Sequence, residues 1–511
     1  MQWLSDDRAR VLDEVKASLD EQRWGDFGAL IDDYFFALSV AEPDALIAAW
    51  PRVPADWLAE NPRYQLASAW TRAAWRSAEL VEERVERTFT RWVLDHETPA
   101  VRDTLCAHAM DIRRNLVSGR FTRANDAADD VQRVIRDAGE QQGFDDILGM
   151  ILIHVGLARL VVGDLAHAAE AFSEGWRWSA SGLPHPITPY LAGYCALAHA
   201  LAGDNARADE WLARSSVPVE SNPHGMAFRL QIAGGLAEAL VAIGRLDRAS
   251  AEAALARIPS GIESGDLWWV GTHVRARIAL IWGDRARAVR HIDGELNAYP
   301  SLTPPSSLAG ALFRADLSDI HQSLGDLDAA GDVLDAVRSA QPDPFLAASA
   351  ARFLMVRGRT TEAAMLLARS LQGQASSFTE PSRWRVLRAN LAHLTRAAHR
   401  AQAIRSAAEH LERTQAFDAA HDALPVVYEA LTEHTRIPTD ATARFTPPPL
   451  ISLTPREKQV LGLLAAHASV QEIAEAMHIS RNTAKTHLRA LYRKLGVSTR
   501  AGALEAAGRF R

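Results

Sequence analysis

An all-α fold, a stacked array of helical hairpins ending in a compact four-helix module, is what this 511-residue chain predicts, and three features predict it. Glycine and alanine keep a common register over most of its length. Prolines recur about half a period after the glycines. The last stretch writes out four amphipathic helices together with their caps.

Residues 1–100 read as a helical segment that enters the array. The opening Met-Gln-Trp-Leu-Ser-Asp-Asp-Arg has no basic-then-apolar export pattern. Trp24-Gly25-Asp26 is a candidate turn. The most apolar run, Met150 to Val162, is interrupted by His154 and Arg159 and is too short to cross a bilayer.

Residues 101–436 form the array. Glycines recur at Gly119, Gly163, Gly203, Gly244, Gly283, Gly325 and Gly358, in steps of 44, 40, 41, 39, 42 and 33 residues. Asp or Arg follows each one. An alanine stands five residues on: Ala124, Ala168, Ala208, Ala249, Ala288, Ala330 and Ala363. An eighth unit keeps Ala403 but has Ala398 at the glycine position. Larger apolar residues often follow four positions later, as at Phe172, Leu212, Ile292, Leu334 and Leu367. Pro184, Pro223, Pro259, Pro300, Pro342 and Pro381 fall near the half-period. Each unit is therefore expected to be two antiparallel helices. Gly ends the first in a conformation that a side chain resists. The small Ala lets the second lie close, and the proline loop starts the next unit. A single hairpin cannot bury its apolar face, so neighbours stack into a superhelix.

The Gly-Asp-Leu-x-x-Ala core of these units resembles tetratricopeptide repeats. With a period near 40, it is similar to the degenerate repeats of large LuxR-family regulators of the MalT type. Ala48 to Ala69, with Pro54-Ala55-Asp56-Trp57-Leu58 and Asn61-Pro62-Arg63, resembles the segment that begins the repeat domain there. Those proteins carry a nucleotide-binding domain ahead of the repeats. This chain has no Gly-x-x-x-x-Gly-Lys-Ser/Thr run to wrap phosphates. Lys16, the one lysine in the first 450 residues, sits in a stretch without glycines. ATP-driven switching within the chain is not expected, nor is a phosphorylatable receiver domain.

Residues 437–452 are a linker. Phe445-Thr446-Pro447-Pro448-Pro449 stiffens it into an extended rod.

Residues 453–511 carry the four helices of the terminal module. Thr454 with Glu457 is a capping box, and Pro455 sits at the first helical position. Leu461 and Leu464 give that helix a buried face. Ser469 with Glu472 caps a short helix from Val470 to Met477. His478-Ile479 makes a tight turn, and Ser480 caps a longer helix to Leu495. Ala484, Leu488, Leu491 and Leu495 should face the core. Asn482, Lys485, Thr486, Arg489 and Arg493 lie opposite, the right chemistry for base edges and phosphates. Ser498 caps a last helix through Ala507.

This pattern resembles the LuxR-type (GerE-type) DNA-binding domain. Leu453-Thr454-x-Arg456-Glu457, Glu472-Ile473-Ala474, Ile479-Ser480-x-x-Thr483-x-Lys485-x-His487 and Lys494-Leu495-Gly496-Val497-x-x-Arg500 sit in that family's order and spacing. The resemblance implies a third helix in the major groove and dimerisation through the fourth on two-fold DNA. It makes Lys485, Thr486 and Arg489 base-facing, and puts His487, Lys494 and Arg500 where the family supports or contacts the backbone. Ala484 stands where valine is usual, and Val470 where asparagine is common.

Charge agrees with that division. From Ile451 onward ten basic residues face four acidic ones, a net +6. The whole chain is −7, which leaves −13 on residues 1–450. A basic module on an acidic body confines nucleic-acid affinity to one end. Cys106 and Cys195 stand in apolar helical contexts, far from any metal-ligand spacing, as in a reduced cytoplasmic protein. No His-Glu-x-x-His, Gly-x-Ser-x-Gly or dinucleotide motif appears, so no catalytic, metal or cofactor residue is assigned. His154, His199 and His273 read as helix-face residues. Trp176/Trp178 and Trp268/Trp269/Trp282 either line a concave groove or pack repeats together. The expected function is a transcription regulator that binds double-stranded DNA as a homodimer, away from membranes, with a small-molecule or protein effector on the array. The rival is an interaction scaffold whose terminal module docks on another regulator without binding DNA.

Overall fold

In the computed structural model every regular element among the described residues is helical. The described residues are 5–75, 83–138, 143–180, 185–215, 226–258, 265–335, 343–372, 382–438, 455–466, 469–495 and 499–508. Of residues 437–452, expected to be a linker, Ile437 and Pro438 are described and the proline run is not. Pro184, Pro223, Pro259, Pro342 and Pro381 also lie outside; Pro300 closes the turn after helix Arg285–Ala298.

The array is a succession of helical hairpins. It runs from Val101–Val117 with Phe121–Ala138, through Asp145–Val161 with Leu165–Ala180, to Ser382–Leu394 with Arg400–Thr414. The expected glycine chemistry holds at Gly119, Gly163, Gly203, Gly325 and Gly358, whose φ lies between +67° and +82°. The amide after each reaches back to the carbonyl five residues earlier, as from Arg120 to Asn115 at 2.8 Å and from Asp326 to His321 at 2.9 Å. Two otherwise orphaned helix-end groups are thereby paired.

Four positions depart from the expected register. Gly244 is helical and faces Asn205, whose amide a Cβ would strike, so close approach and not a turn requires the glycine. The left-handed residue is Leu246, two positions later, with φ 58°. The buried alanine moves with it: Ala251 is fully enclosed, and Ala249 is exposed. Gly283 has φ −141°, outside the left-handed region. In the eighth unit Arg396, not Ala398, is left-handed at φ 53°. The second helix there starts only at Arg400, so Ala403 is half-buried. Near the N-terminus the turn is at Gln22 (φ 55°), and Gly25 lies inside helix Trp24–Ala41.

The residue after the glycine has its own task. Asp164, Asp204, Asp284 and Asp326 accept the amides of His167, Arg207, Arg287 and Ala329, and Asp247 accepts that of Ser250. Each caps the second helix of its hairpin. Four residues past these aspartates stand Ala168, Ala208, Ala251, Ala288 and Ala330, all buried.

The array winds back on itself. A Cβ on Gly119 would lie 2.8 Å from the carbonyl carbon of Ser301, and one on Gly163 would lie 3.0 Å from Asp343 Oδ2. Asn205 Nδ2 donates to the Gln415 carbonyl at 3.0 Å, and Arg245 Nε to Gln415 Oε1 at 2.8 Å. The hairpin turns of early units thus rest against units four to five places further on. Ion pairs line the interior of the C-terminal half. Arg383 bonds Asp422 at 2.6 Å and lies 2.8 Å from Asp319; Arg277 bonds Asp418 at 2.8 Å; His273 bonds Asp316 at 2.7 Å. Burial pulls the Arg383 guanidinium down, but Asp319 and Asp422 outweigh it and hold the pKa above its ordinary value. Such a set, desolvated together, specifies how three first helices and the segment Phe417–Asp422 fit more than it adds net stability.

The tryptophans pack units together. Trp176 meets Trp211 edge-on at 5.4 Å, and Trp268 meets Phe313 at 5.7 Å. Trp269 and Trp282 are buried, and Trp178 is exposed.

Candidate nucleic-acid interface

The terminal module has its own core. Helices Pro455–Ala466, Val470–Ala476, Arg481–Leu495 and Arg500–Gly508 enclose Val460, Leu461, Leu464, Ile473, Met477 and Ala503. Ala484, Leu488, Leu491 and Leu495 are buried as their spacing requires. The small Ala484 is wholly enclosed.

Local chemistry sets the angle between the second and third helices. Ser469 Oγ accepts the Glu472 amide, and the Glu472 carboxylate accepts the Ser469 amide, each at 3.3 Å. That is the reciprocal capping box. His478 is left-handed, with φ 54°, and the Ile479 amide reaches the Ala474 carbonyl at 3.0 Å. Ser480 Oγ then accepts the Thr483 amide at 3.1 Å and starts the third helix. Thr454 and Ser498, named as caps from sequence, lie outside the described residues. Thr499 Oγ1 accepts the Gly502 amide at 3.1 Å and caps the fourth helix.

The third helix turns one face outward. Asn482, Lys485, Thr486 and Arg489 are exposed, with Arg481 beside them at the first turn. Lys485 and Arg489 are one turn apart, about 6 Å along the axis. Thr486 donates its hydroxyl to the Asn482 carbonyl at 3.0 Å, which leaves the oxygen lone pairs as acceptors. His487 is half-buried at the edge of this face. The side chains of Arg493 and Lys494 lie outside the described residues. Arg500 is half-buried and donates to the Leu464 carbonyl at 2.6 Å, which joins the fourth helix to the end of the first. Sequence reading missed this bond, since nothing local links two residues on different helices.

Among the described residues no cluster of metal-ligating side chains is present, and no helix is long and apolar enough to cross a membrane. Both cysteines are buried and free, and burial pushes the Cys106 thiol up to about 12.

Residues 451–507 match the family described as "Bacterial regulatory proteins, luxR family". Over 50 residues the chain is 52% identical to the transcriptional regulatory protein MctR of Rhizobium johnstonii, covering 10% of this chain and 23% of that protein. Over 56 residues it is 54% identical to the probable transcriptional regulatory protein SgaR of Hyphomicrobium methylovorum, covering 11% of this chain and 26% of that protein. The chain thus spans about a quarter of the length of these curated relatives. The C-terminal module is of the LuxR helix-turn-helix type.

Proposed function

We propose that the chain is a transcription regulator that binds double-stranded DNA through helix Arg481–Leu495, with the tetratricopeptide-like array as its sensor. One observation carries this: a cationic and amide-bearing face, Asn482, Lys485, Thr486 and Arg489, on a helix whose other side is locked by buried leucines. A helix fits the major groove, where Arg and Lys read guanine O6 and N7 and Asn reads adenine. The Lys485–Arg489 spacing of about 6 Å spans close to two base-pair steps. Thr486 offers acceptor lone pairs to an exocyclic amine. Lys494 and Arg493 supply phosphate contacts, and His487 and Arg500 support the backbone-facing edge. Two copies bind a two-fold site, paired through the fourth helix, in the cytoplasm. The similarity of this module to transcriptional regulatory proteins supports the regulatory reading. The array supplies a stacked surface for an effector, of the kind found in MalT-type regulators without their nucleotide-binding domain. An effector acts only through differential affinity for two states of the array.

The test uses the full chain and fragmented DNA from its own organism, captured in dilute salt and sequenced. Enriched fragments are expected. Their retention should fall about 100-fold or more in Lys485→Ala/Arg489→Ala, since each base-reading contact contributes about 1–3 kcal/mol. Equal retention by the double variant, or no enriched fragments, overturns the reading in favour of a docking scaffold.

A further inference from the structure

The two halves of the array differ inside. Ion pairs line the C-terminal half, whereas the N-terminal half holds a cavity of about 140 Å³. The first helices of four consecutive units, Val101–Val117, Asp145–Val161, Thr188–Leu201 and Met226–Gly244, contribute to its wall. Met110, Met150, Leu157 and Leu230 give it an apolar lining, and Phe36 and Trp70, with rings 5.7 Å apart, add an aromatic side. That side is fixed from behind, where Asp146 accepts the amides of Phe36 and Ala37 at 2.8 and 2.9 Å. An apolar space of about 150 Å³ holds one benzene ring. Methionine beside aromatic rings makes favourable contacts with a further ring. The volume therefore sets the size of an occupant at one ring and a few more atoms.

The polar groups at the cavity select against charge. Burial lowers the His154 pKa and raises that of Tyr194, so both rings are uncharged. The charged groups are already answered. Glu86 lies 3.9 Å from Arg114, and Arg113 also steadies its carboxylate. Arg113 and Arg229 have partners of their own within the chain. Asp266 is exposed and keeps its water. A charged ligand would surrender its hydration here and find no opposite charge waiting for it. One polar atom remains open. His154 donates Nδ1–H to the Met150 carbonyl of its own helix at 2.9 Å. Nε2, at the far edge of the neutral ring, is then an acceptor, and it has no partner among the described residues.

We propose that this cavity binds a small uncharged aromatic molecule with one hydrogen-bond donor, of the phenol class. Its ring lies against Phe36, Trp70 and the methionines, and its hydroxyl donates to His154 Nε2. As an effector site it rests on the reading of the array as a sensor, and it puts the effector where the N-terminal helices meet four repeat units.

Fluorine NMR of the full chain without DNA, at neutral pH, tests it with 4-fluorophenol, 4-fluorotoluene, 4-fluorobenzoate and 4-fluorobenzylamine as probes. 4-Fluorophenol should saturate one site per chain. It should bind at least about threefold more tightly than 4-fluorotoluene, which lacks the donor, since one hydrogen bond has a modest net worth. Over the two charged probes its advantage should be at least tenfold. His154→Phe keeps a ring and removes the acceptor, so 4-fluorotoluene should still bind and the preference for the phenol should vanish. Ala73→Phe, which fills the space from a half-buried position, should weaken both at least tenfold with helicity unchanged. No saturable binding of 4-fluorophenol, equal binding of all four probes, a phenol preference that survives His154→Phe, or full binding by Ala73→Phe overturns the proposal. DNA retention, measured separately on the same samples, distinguishes these outcomes from failure of the regulator reading. A chain that holds DNA and ignores all four probes loses only the effector site.

Discussion

Replacing Gly119 by alanine tests whether the array really winds back on itself. Two effects add. A left-handed alanine costs about 1 kcal/mol net, after the lower unfolded-state entropy of alanine is credited. The added methyl then lies 2.8 Å from the Ser301 carbonyl carbon, where carbon contacts prefer about 3.5–4.0 Å. The obstacle is backbone, not the end of a flexible side chain. Overpacking of this kind costs about 1–3 kcal/mol, so the total is about 2–4 kcal/mol. Gly325 supplies the control. Its φ is +78°, yet a Cβ there meets nothing within 4 Å, so only the backbone cost of about 1 kcal/mol applies. Urea unfolding followed by circular dichroism compares the two variants. Hydrogen exchange of the Arg120, Leu302 and Thr303 amides reads the contact itself. Gly119→Ala should raise exchange at residues 302 and 303 as well as at 120, although the first two are on another unit. Losses equal within about 0.5 kcal/mol, with Leu302 and Thr303 unaffected, refute the winding contact.

Two further outcomes follow from the same geometry. Burial pushes the Asp343 carboxyl up to about 6 from its ordinary 3.8, so the folded chain holds that proton more tightly than the unfolded one. Stability should therefore fall as pH rises from about 4 to about 6, and Asp343→Asn should flatten that part of the curve; an unchanged pH profile in the variant defeats the assignment. Ser469→Ala removes half of the capping box and should destabilise the terminal module by about 1 kcal/mol while leaving the exposed face of the third helix intact. Thermal melting of the isolated 453–511 fragment would show this, and no loss there would mean that water satisfies the Glu472 amide equally well.

Much of the terminal module was legible in the sequence because its determinants are local. Ser469 and Glu472 are three residues apart, and Leu488, Leu491 and Leu495 mark one helix face without reference to anything else. The array was legible to the same extent. Gly119 and Ala124 announce a hairpin because a left-handed turn and a close helix approach both act over a few residues. The register failed at Gly244 because that glycine answers to Asn205, 39 positions away, and not to its own turn. Asp247 was the better marker, since an N-cap fixes where the second helix begins. Nothing in the sequence connects Gly119 with Ser301, or Arg383 with Asp319. Those contacts depend on the pitch of the whole winding, which sums small rotations at every hairpin.

The contact between successive windings has an evolutionary corollary. Strings of identical modules usually lengthen or shorten freely, because each copy answers only to its immediate neighbours. In this chain, duplicating or excising one hairpin would slide every later loop past its counterpart and bring Gly119 opposite a different carbonyl. The number of modules is therefore as constrained as the residues within them, and descendants should diverge by substitution while keeping that count.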